Sequence, residues 1–227
     1  MAEQGAFPFA AVIFDMDGVL VDTERYYIDE ERDFAAEVLG LAITDEELFG
    51  MVGNSHQDFR RTIVSWFARA GIEVDGEEAS ARFRNWEAGR PRDYRALLNP
   101  GVASTIRELR SRGVRVALAS SSPLANIRQV LRACELEGLF EVVVSGEQFH
   151  ESKPNPEIYL YTLELLGLPA EACCCVEDSV PGITAGKAAG LTVFAKREDR
   201  FGFSQAAADC IIDQLPDLIE AACFLRP

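Results

Sequence analysis

Ala10-Ala11-Val12-Ile13-Phe14-Asp15-Met16-Asp17-Gly18-Val19-Leu20-Val21-Asp22-Thr23 is the stretch on which the reading of the fold turns. Its apolar, β-branched and aromatic run predicts a buried parallel strand. The run stops at two carboxylates one residue apart, Asp15 and Asp17, followed by a glycine that permits a tight turn. In open α/β sheets ligands bind at the carboxyl edge of the strands, where this pair would stand. Taken alone, Asp-x-Asp-Gly describes an acidic turn equally well, so the rest of the chain must decide.

Working outward, residues 22–95 show no convincing strand. Phe34, Val38 and Leu39 mark one helix, Phe59, Ile63, Phe67 and Ala70 a second, and Phe83 with Trp86 a third. Gly40 and Gly71 are natural helix stops. This predicts a helical insertion packed over the mouth of the first strand, with residues 1–21 and 96–227 forming the core. From Pro100 the chain alternates helix and strand. Strands are expected at Val114–Ala119, Glu141–Val144, the cysteine run Cys173–Val176, Leu191–Phe194 and a short segment at Cys210–Ile212, with helices between them. The predicted architecture is a doubly wound parallel sheet with an inserted α-helical cap.

Composition excludes several classes. With 227 residues, 48% of them hydrophobic, the chain can bury a full core. Its formal charge of −15 opposes binding to nucleic acid or to anionic lipid. An anionic substrate would therefore need cations held locally. The six cysteines show neither C-x-x-C pairs nor a framework spacing, and three in a row on a strand cannot converge on one ion. They are expected to be reduced thiols in a cytoplasmic protein. The segment before Phe9 has no basic region, and Asp15 interrupts the apolar run after it, which fits neither a signal peptide nor a membrane span.

Four predicted strand ends carry polar groups: Asp15 and Asp17; Ser120 and Ser121; Lys153 in the loop after the third strand; Glu177 and Asp178. Parallel strands place their carboxyl ends on one edge, so these groups can converge. Clustered carboxylates repel unless a cation sits among them, and an oxygen-rich site suits Mg²⁺. Lys153 and the hydroxyls would supply donors to a phosphate. Individually, Lys153 reads as a surface lysine and Glu177-Asp178 as an acidic helix cap; it is the joint occurrence that favours a site. Pro154, Asn155 and Pro156 present Lys153 at a helix entrance, and Ser179 and Pro181 do the same after Asp178.

The set resembles the haloacid dehalogenase superfamily, and within it the β-phosphoglucomutase-like branch with a helical cap. The motifs carrying the resemblance are Asp15-Met16-Asp17-Gly18, Ala119-Ser120-Ser121-Ser122, Lys153-Pro154-Asn155-Pro156-Glu157-Ile158-Tyr159 and Val176-Glu177-Asp178-Ser179. The resemblance implies Asp15 as nucleophile and Asp17 as general acid and then base. It implies Mg²⁺ held by Asp15, the Asp17 main-chain carbonyl and Asp178, with Glu177 reaching it directly or through water. Ser120, the Ser121 backbone and Lys153 would bind the phosphoryl group. It also implies that the cap selects substrates through the loop holding Asn54, Ser55 and His56.

His56 stands where β-phosphoglucomutases carry an arginine, and Tyr27 where they carry a histidine, departures that favour hydrolysis over phosphoryl return. The expected activity is thus Mg²⁺-dependent hydrolysis of small phosphorylated metabolites, sugar or polyol phosphates, by a monomer. A phosphomutase is the nearer alternative. A phospho-receiver is the remoter one, opposed by the Asp-x-Asp pair closing the first strand and by the helical insertion. Arg82, Arg84, Arg90, Arg92 and Arg95 give the insertion a basic density that reads, for any one arginine, as a solvated helical face. His150 reads as a loop residue and Trp86 as helical core.

Overall fold

Six parallel strands form the sheet in the computed structural model: β1 (Ala11–Phe14), β2 (Arg115–Ser120), β3 (Val142–Ser145), β4 (Cys173–Glu177), β5 (Thr192–Lys196) and β6 (Cys210–Ile212). The structure describes residues 7–52, 56–88, 90 and 92–225, without the side chain of His56. Spatial order is β3-β2-β1-β4-β5-β6. The chain therefore winds outward from β1 to β3, returns to lay β4 beside β1, and winds outward again. The reversal falls between β1 and β4, the position at which such sheets open a crevice beyond their carboxyl ends.

Contacts divide the chain into two compact units, residues 1–22 with 94–227, and residues 23–93. The second unit is helical: α1 (Glu24–Leu39), α2 (Asp45–Phe49), α3 (His56–Arg69) and α4 (Gly76–Glu87). Phe34 anchors its core, with its ring edge-on to Phe67, Phe83 and Trp86 at centroid distances of 6.0, 5.0 and 5.4 Å. Gly40 ends α1 in the left-handed region at φ 66°, where its N–H bonds Ala35 and Ala36 carbonyls. The short α2, capped by Thr44 accepting from Glu47 N–H, has no counterpart in the apolar periodicity, because five residues are too few to show one.

In the core unit, α5 (Val102–Ser111), α6 (Leu124–Ala133), α7 (Glu157–Leu166), α8 (Val180–Ala188) and α9 (Leu218–Ala221) complete the winding. Strand alternation assigns the two hydrophobic clusters. Val12, Phe14, Val116, Leu118, Cys174 and Val176 join α5, α6 and α9 on one face. Ala11, Ile13, Ala117, Cys173 and Cys175 join α7 and α8 on the other. The three consecutive cysteines are thus fully buried, as small apolar fillers facing both ways, and all six cysteines are free thiols.

Candidate active site

The register of β1 fixes what meets at the crevice. Phe14 lies level with Leu118 on one side and Val176 on the other. One residue further, Asp15 stands between the ends of β2 and β4, its N–H bonded to the Val176 carbonyl at 3.0 Å. The chain then turns back at once: Gly18 adopts φ 75° and donates to the Val21 carbonyl at 2.7 Å. Asn99 clasps that turn from the side, its Nδ2 donating to the Gly18 and Val19 carbonyls at 3.1 and 2.9 Å.

Lys153 reaches the same point from the loop before α7. Its Nζ donates to Asp15 Oδ1 (2.7 Å), Glu177 Oε1 (2.6 Å) and the Ala119 carbonyl (3.0 Å), joining three strand ends through one ammonium. Lys153 is only 7% exposed, so these bonds replace the water shell of its ammonium. Burial works against the charge, but Asp15 and Glu177 outweigh it and hold the lysine above its usual pKa. Asp15 is pushed up to about 7, first by burial and then by Glu177 and Asp17, with Lys153 opposing. Asn155 Oδ1 accepts from Glu157 N–H at 2.9 Å, the capping bond expected at this helix entrance, although α7 itself begins only at Glu157.

Glu177 is fully buried. Its Oε1 accepts from Lys153 and from the Tyr159 hydroxyl, and its Oε2 lies 3.3 Å from Asp178 N. A Cβ on Gly182 would come within 2.0 Å of that carboxylate, so α8 can sit against it only with glycine there. Ser179 starts α8 by accepting from Gly182 N–H at 3.1 Å, with Pro181 in the first turn.

Asp17 takes a different partner, Ser122, whose Oγ donates to its Oδ2 at 2.7 Å. Ser122 N–H in turn donates to Ser120 Oγ at 3.0 Å, and Ser145 Oγ donates to the Ser122 carbonyl at 2.7 Å. The serine turn after β2 is therefore held from both sides, and Gly146 lets β3 approach it closely: a Cβ there would stand 3.0 Å from Ser121 Cα. Sequence reading named Ser120 and Ser121 for this turn. The hydroxyl that touches Asp17 belongs to Ser122, and no local pattern distinguishes one serine from the next in such a run.

Asp15, Glu177 and Asp178 bring one carboxylate oxygen each to within 4.8 Å of one another, all three residues being buried. The space around Asp178 is reserved for its carboxylate, since a Cβ at Gly18 would stand 1.8 Å from Oδ2. A cluster of hard oxygen donors carrying more negative charge than the single Lys153 can balance fits a divalent cation such as Mg²⁺. The Asp17 side chain is not part of this cluster.

Asn54 and Ser55, read as substrate-facing, lie outside the described residues, as does the His56 side chain. Of the arginines in that basic density, Arg82 pairs with Glu78, Arg90 with Asp33 and Glu37 while stacked on Trp86, and Arg95, which belongs to the core unit, with Glu135. Arg92 departs from the solvated-face reading. Its side chain is 12% exposed and lies between Glu30 (2.5 Å) and Glu87 (2.6 Å). His150 is an exposed loop residue, and Trp86 packs in the helical core.

The family model of haloacid dehalogenase-like hydrolases matches residues 9–190. The phosphorylated carbohydrates phosphatase of Thermotoga maritima is 35% identical over 189 residues, spanning 80% of this chain and 82% of its own. Hexitol phosphatase B of Escherichia coli is 34% identical over 183 residues, spanning 80% of each. The crystal structure of β-phosphoglucomutase from Clostridium difficile aligns over 95% of this chain and 99% of its own with a TM-score of 0.75; at 19% identity this is a likeness of fold.

Proposed function

The chain belongs to the haloacid dehalogenase-like hydrolase family, and we propose that it is a Mg²⁺-dependent phosphatase of small phosphorylated metabolites, sugar or polyol phosphates, acting through a phosphoryl group carried on Asp15. The observation that carries this reading is the convergence of Asp15, Glu177 and Asp178 at the carboxyl edge of the sheet, with Lys153 Nζ bonded to the first two. Phosphoryl transfer needs positioned charge more than covalent machinery, and this edge concentrates both signs of it.

In this reading an Asp15 carboxylate oxygen attacks phosphorus, forming an O–P bond as the bond to the leaving oxygen breaks. Asp17, oriented by Ser122 Oγ, gives its proton to that oxygen. Asp17 then takes a proton from water, whose oxygen bonds phosphorus while the Asp15 O–P bond breaks and phosphate leaves. Lys153 neutralises phosphoryl charge, and the backbone and hydroxyls of Ser120 and Ser121 donate to its oxygens. Asp15, the Asp17 carbonyl and Asp178 would hold Mg²⁺, with Glu177 contributing directly or through water. When bound, the ion offsets repulsion between Asp15 and the incoming phosphoryl oxygens. Glu177, committed to Lys153 and Tyr159, acts mainly by fixing the lysine.

Asn54, Ser55 and His56 are proposed to rank substrates. The acidic chain and its free thiols fit a cytoplasmic monomer without nucleic-acid partners. Among the described residues, no helix is long and apolar enough to cross a membrane. The test is a panel of phosphorylated metabolites with Mg²⁺, reading released phosphate. Turnover is expected on sugar or polyol monophosphates. Alanine at residues 54–56 should reorder the substrates, whereas Lys153→Ala should weaken all of them. Conversion of a sugar 1-phosphate to its 6-phosphate isomer without phosphate release would assign a mutase instead.

A further inference from the structure

Past Glu177 the ladder between β4 and β5 ends, its last aligned pair being Glu177 with Ala195. The Asp178 carbonyl, past the end of β4, and the Lys196 carbonyl, at the last residue of β5, therefore lie beyond that ladder, where a buried acceptor without a donor is costly. One side chain serves both. Gln205 Nε2 donates to the Asp178 carbonyl at 2.6 Å and to the Lys196 carbonyl at 2.7 Å, while its Oε1 accepts from Glu198 N–H at 3.0 Å. Two acceptors at one end and an N–H at the other fix the amide's orientation. Gln205 is 6% exposed, and its bonds use both amide protons.

The loop carrying Gln205 is itself anchored. Glu198, 4% exposed, accepts from Arg200 N–H and Nε at 2.8 and 2.9 Å, and the Arg200 guanidinium forks onto Asp22 at 2.9 and 2.7 Å. Asp178 is thereby gripped from two directions. Its side chain occupies the space that Gly18 leaves open, and its main chain hangs on Gln205.

We propose that Gln205 is a positioning residue for Asp178: by holding the Asp178 carbonyl it keeps the carboxylate aimed at Asp15 and Glu177, and so sets the affinity of the site for its divalent cation. The inference rests on the magnesium reading above. Groups that orient metal ligands without touching the ion commonly change affinity by about 10- to 100-fold when removed. Nothing in Gln205 contacts the reacting atoms, so its loss acts on ion affinity before chemistry.

The experiment is calorimetric titration of the full chain with Mg²⁺, alongside the Mg²⁺ dependence of phosphate release, for wild type, Gln205→Met, Gln205→Asn and Asp178→Asn. Gln205→Met keeps the volume and loses all three bonds; it should raise the Kd for Mg²⁺ by about 10-fold or more, with kcat at saturating Mg²⁺ returning to near the wild-type value. Gln205→Asn keeps the amide on a shorter stem and should show a smaller rise; if Gln205→Met does not fold, this variant decides by the same criterion. A folded Gln205 variant with wild-type Kd, while Asp178→Asn loses binding, would overturn the proposal and leave Gln205 a structural role. Wild-type Kd in Asp178→Asn as well would overturn the magnesium reading itself.

Discussion

Each of the two compact units sets a largely covered cation between two carboxylates, and each has more acid than base around it. In the core unit Lys153 lies between Asp15 and Glu177, with Asp178 close by. In the helical unit Arg92 lies between Glu30 and Glu87, over the rings of Tyr26 and Tyr27, with Glu31 one residue from Glu30. The two differ in how their carboxylates are placed. Around Lys153 the carboxylates come off strand ends and converge within 4.8 Å, an arrangement that can accept a divalent ion. Around Arg92 no such convergence exists among the described residues, and burial, with Glu30 beside it, raises the pKa of neighbouring Glu31 to about 8, so that this carboxyl holds a proton at neutral pH. Burial pushes up a carboxyl in each unit, Asp15 in one and Glu31 in the other, and geometry decides which of them stands in a cluster that can accept an ion.

Exchanging each cation for an apolar side chain is the strongest way to break this comparison. Lys153→Met should lower kcat by about 10³-fold or more, since it removes a charge aimed at the transferred group, while Arg92→Met should leave kcat per folded molecule within about tenfold. Both should destabilise, by about 3 to 5 kcal/mol, because each strands buried carboxylates. Steady-state kinetics and thermal unfolding of the pair check this. Loss of turnover in Arg92→Met with unchanged Tm would show that the arginine cluster belongs to the chemistry and would remove the distinction.

A smaller effect sharpens it. The Glu31 carboxyl titrates at about 8 in the folded chain against a usual value of 4.5. Between those values the folded state holds a proton that the unfolded state gives up. Stability from this residue is therefore whole below the lower value, falls as pH rises, and is fully lost above the higher one. Glu31→Gln should leave Tm nearly unchanged near pH 5 and raise it by an amount worth a few kcal/mol near pH 8. Parallel pH profiles for the two proteins would refute the protonated-glutamate account.

The core cluster was legible in the sequence and the helical one was not. Asp15, Glu177 and Asp178 end apolar strands and Lys153 sits in the loop after another, so strand periodicity sends them to one edge, and their joint occurrence, not any one of them, marks the site. All six strands fall within a residue or two of where alternation and turn residues put them. Arg92 carries no such marker. Its partners Glu30 and Glu87 sit on two different helices, and only tertiary packing brings the three together. Tyr159 on Glu177, Ser122 on Asp17 and Gln205 on Asp178 were hidden for the same reason: each is a long-range side-chain bond with no local pattern. The helical turns after β6 escaped because they are only three or four residues long.

The central claim is that Asp15 carries the phosphoryl group, and trapping that group tests it most directly. Wild type and Asp15→Asn would be mixed with Mg²⁺ and a turned-over sugar phosphate, quenched in acid within a single turnover, digested and mapped by mass spectrometry. The account predicts a phosphoryl adduct on the Asp15 peptide of wild type, lost in alkali, and neither adduct nor phosphate release from a folded Asp15→Asn protein. Wild-type turnover by Asp15→Asn, or an adduct on Ser120, Ser121 or Ser122 in place of Asp15, would contradict it.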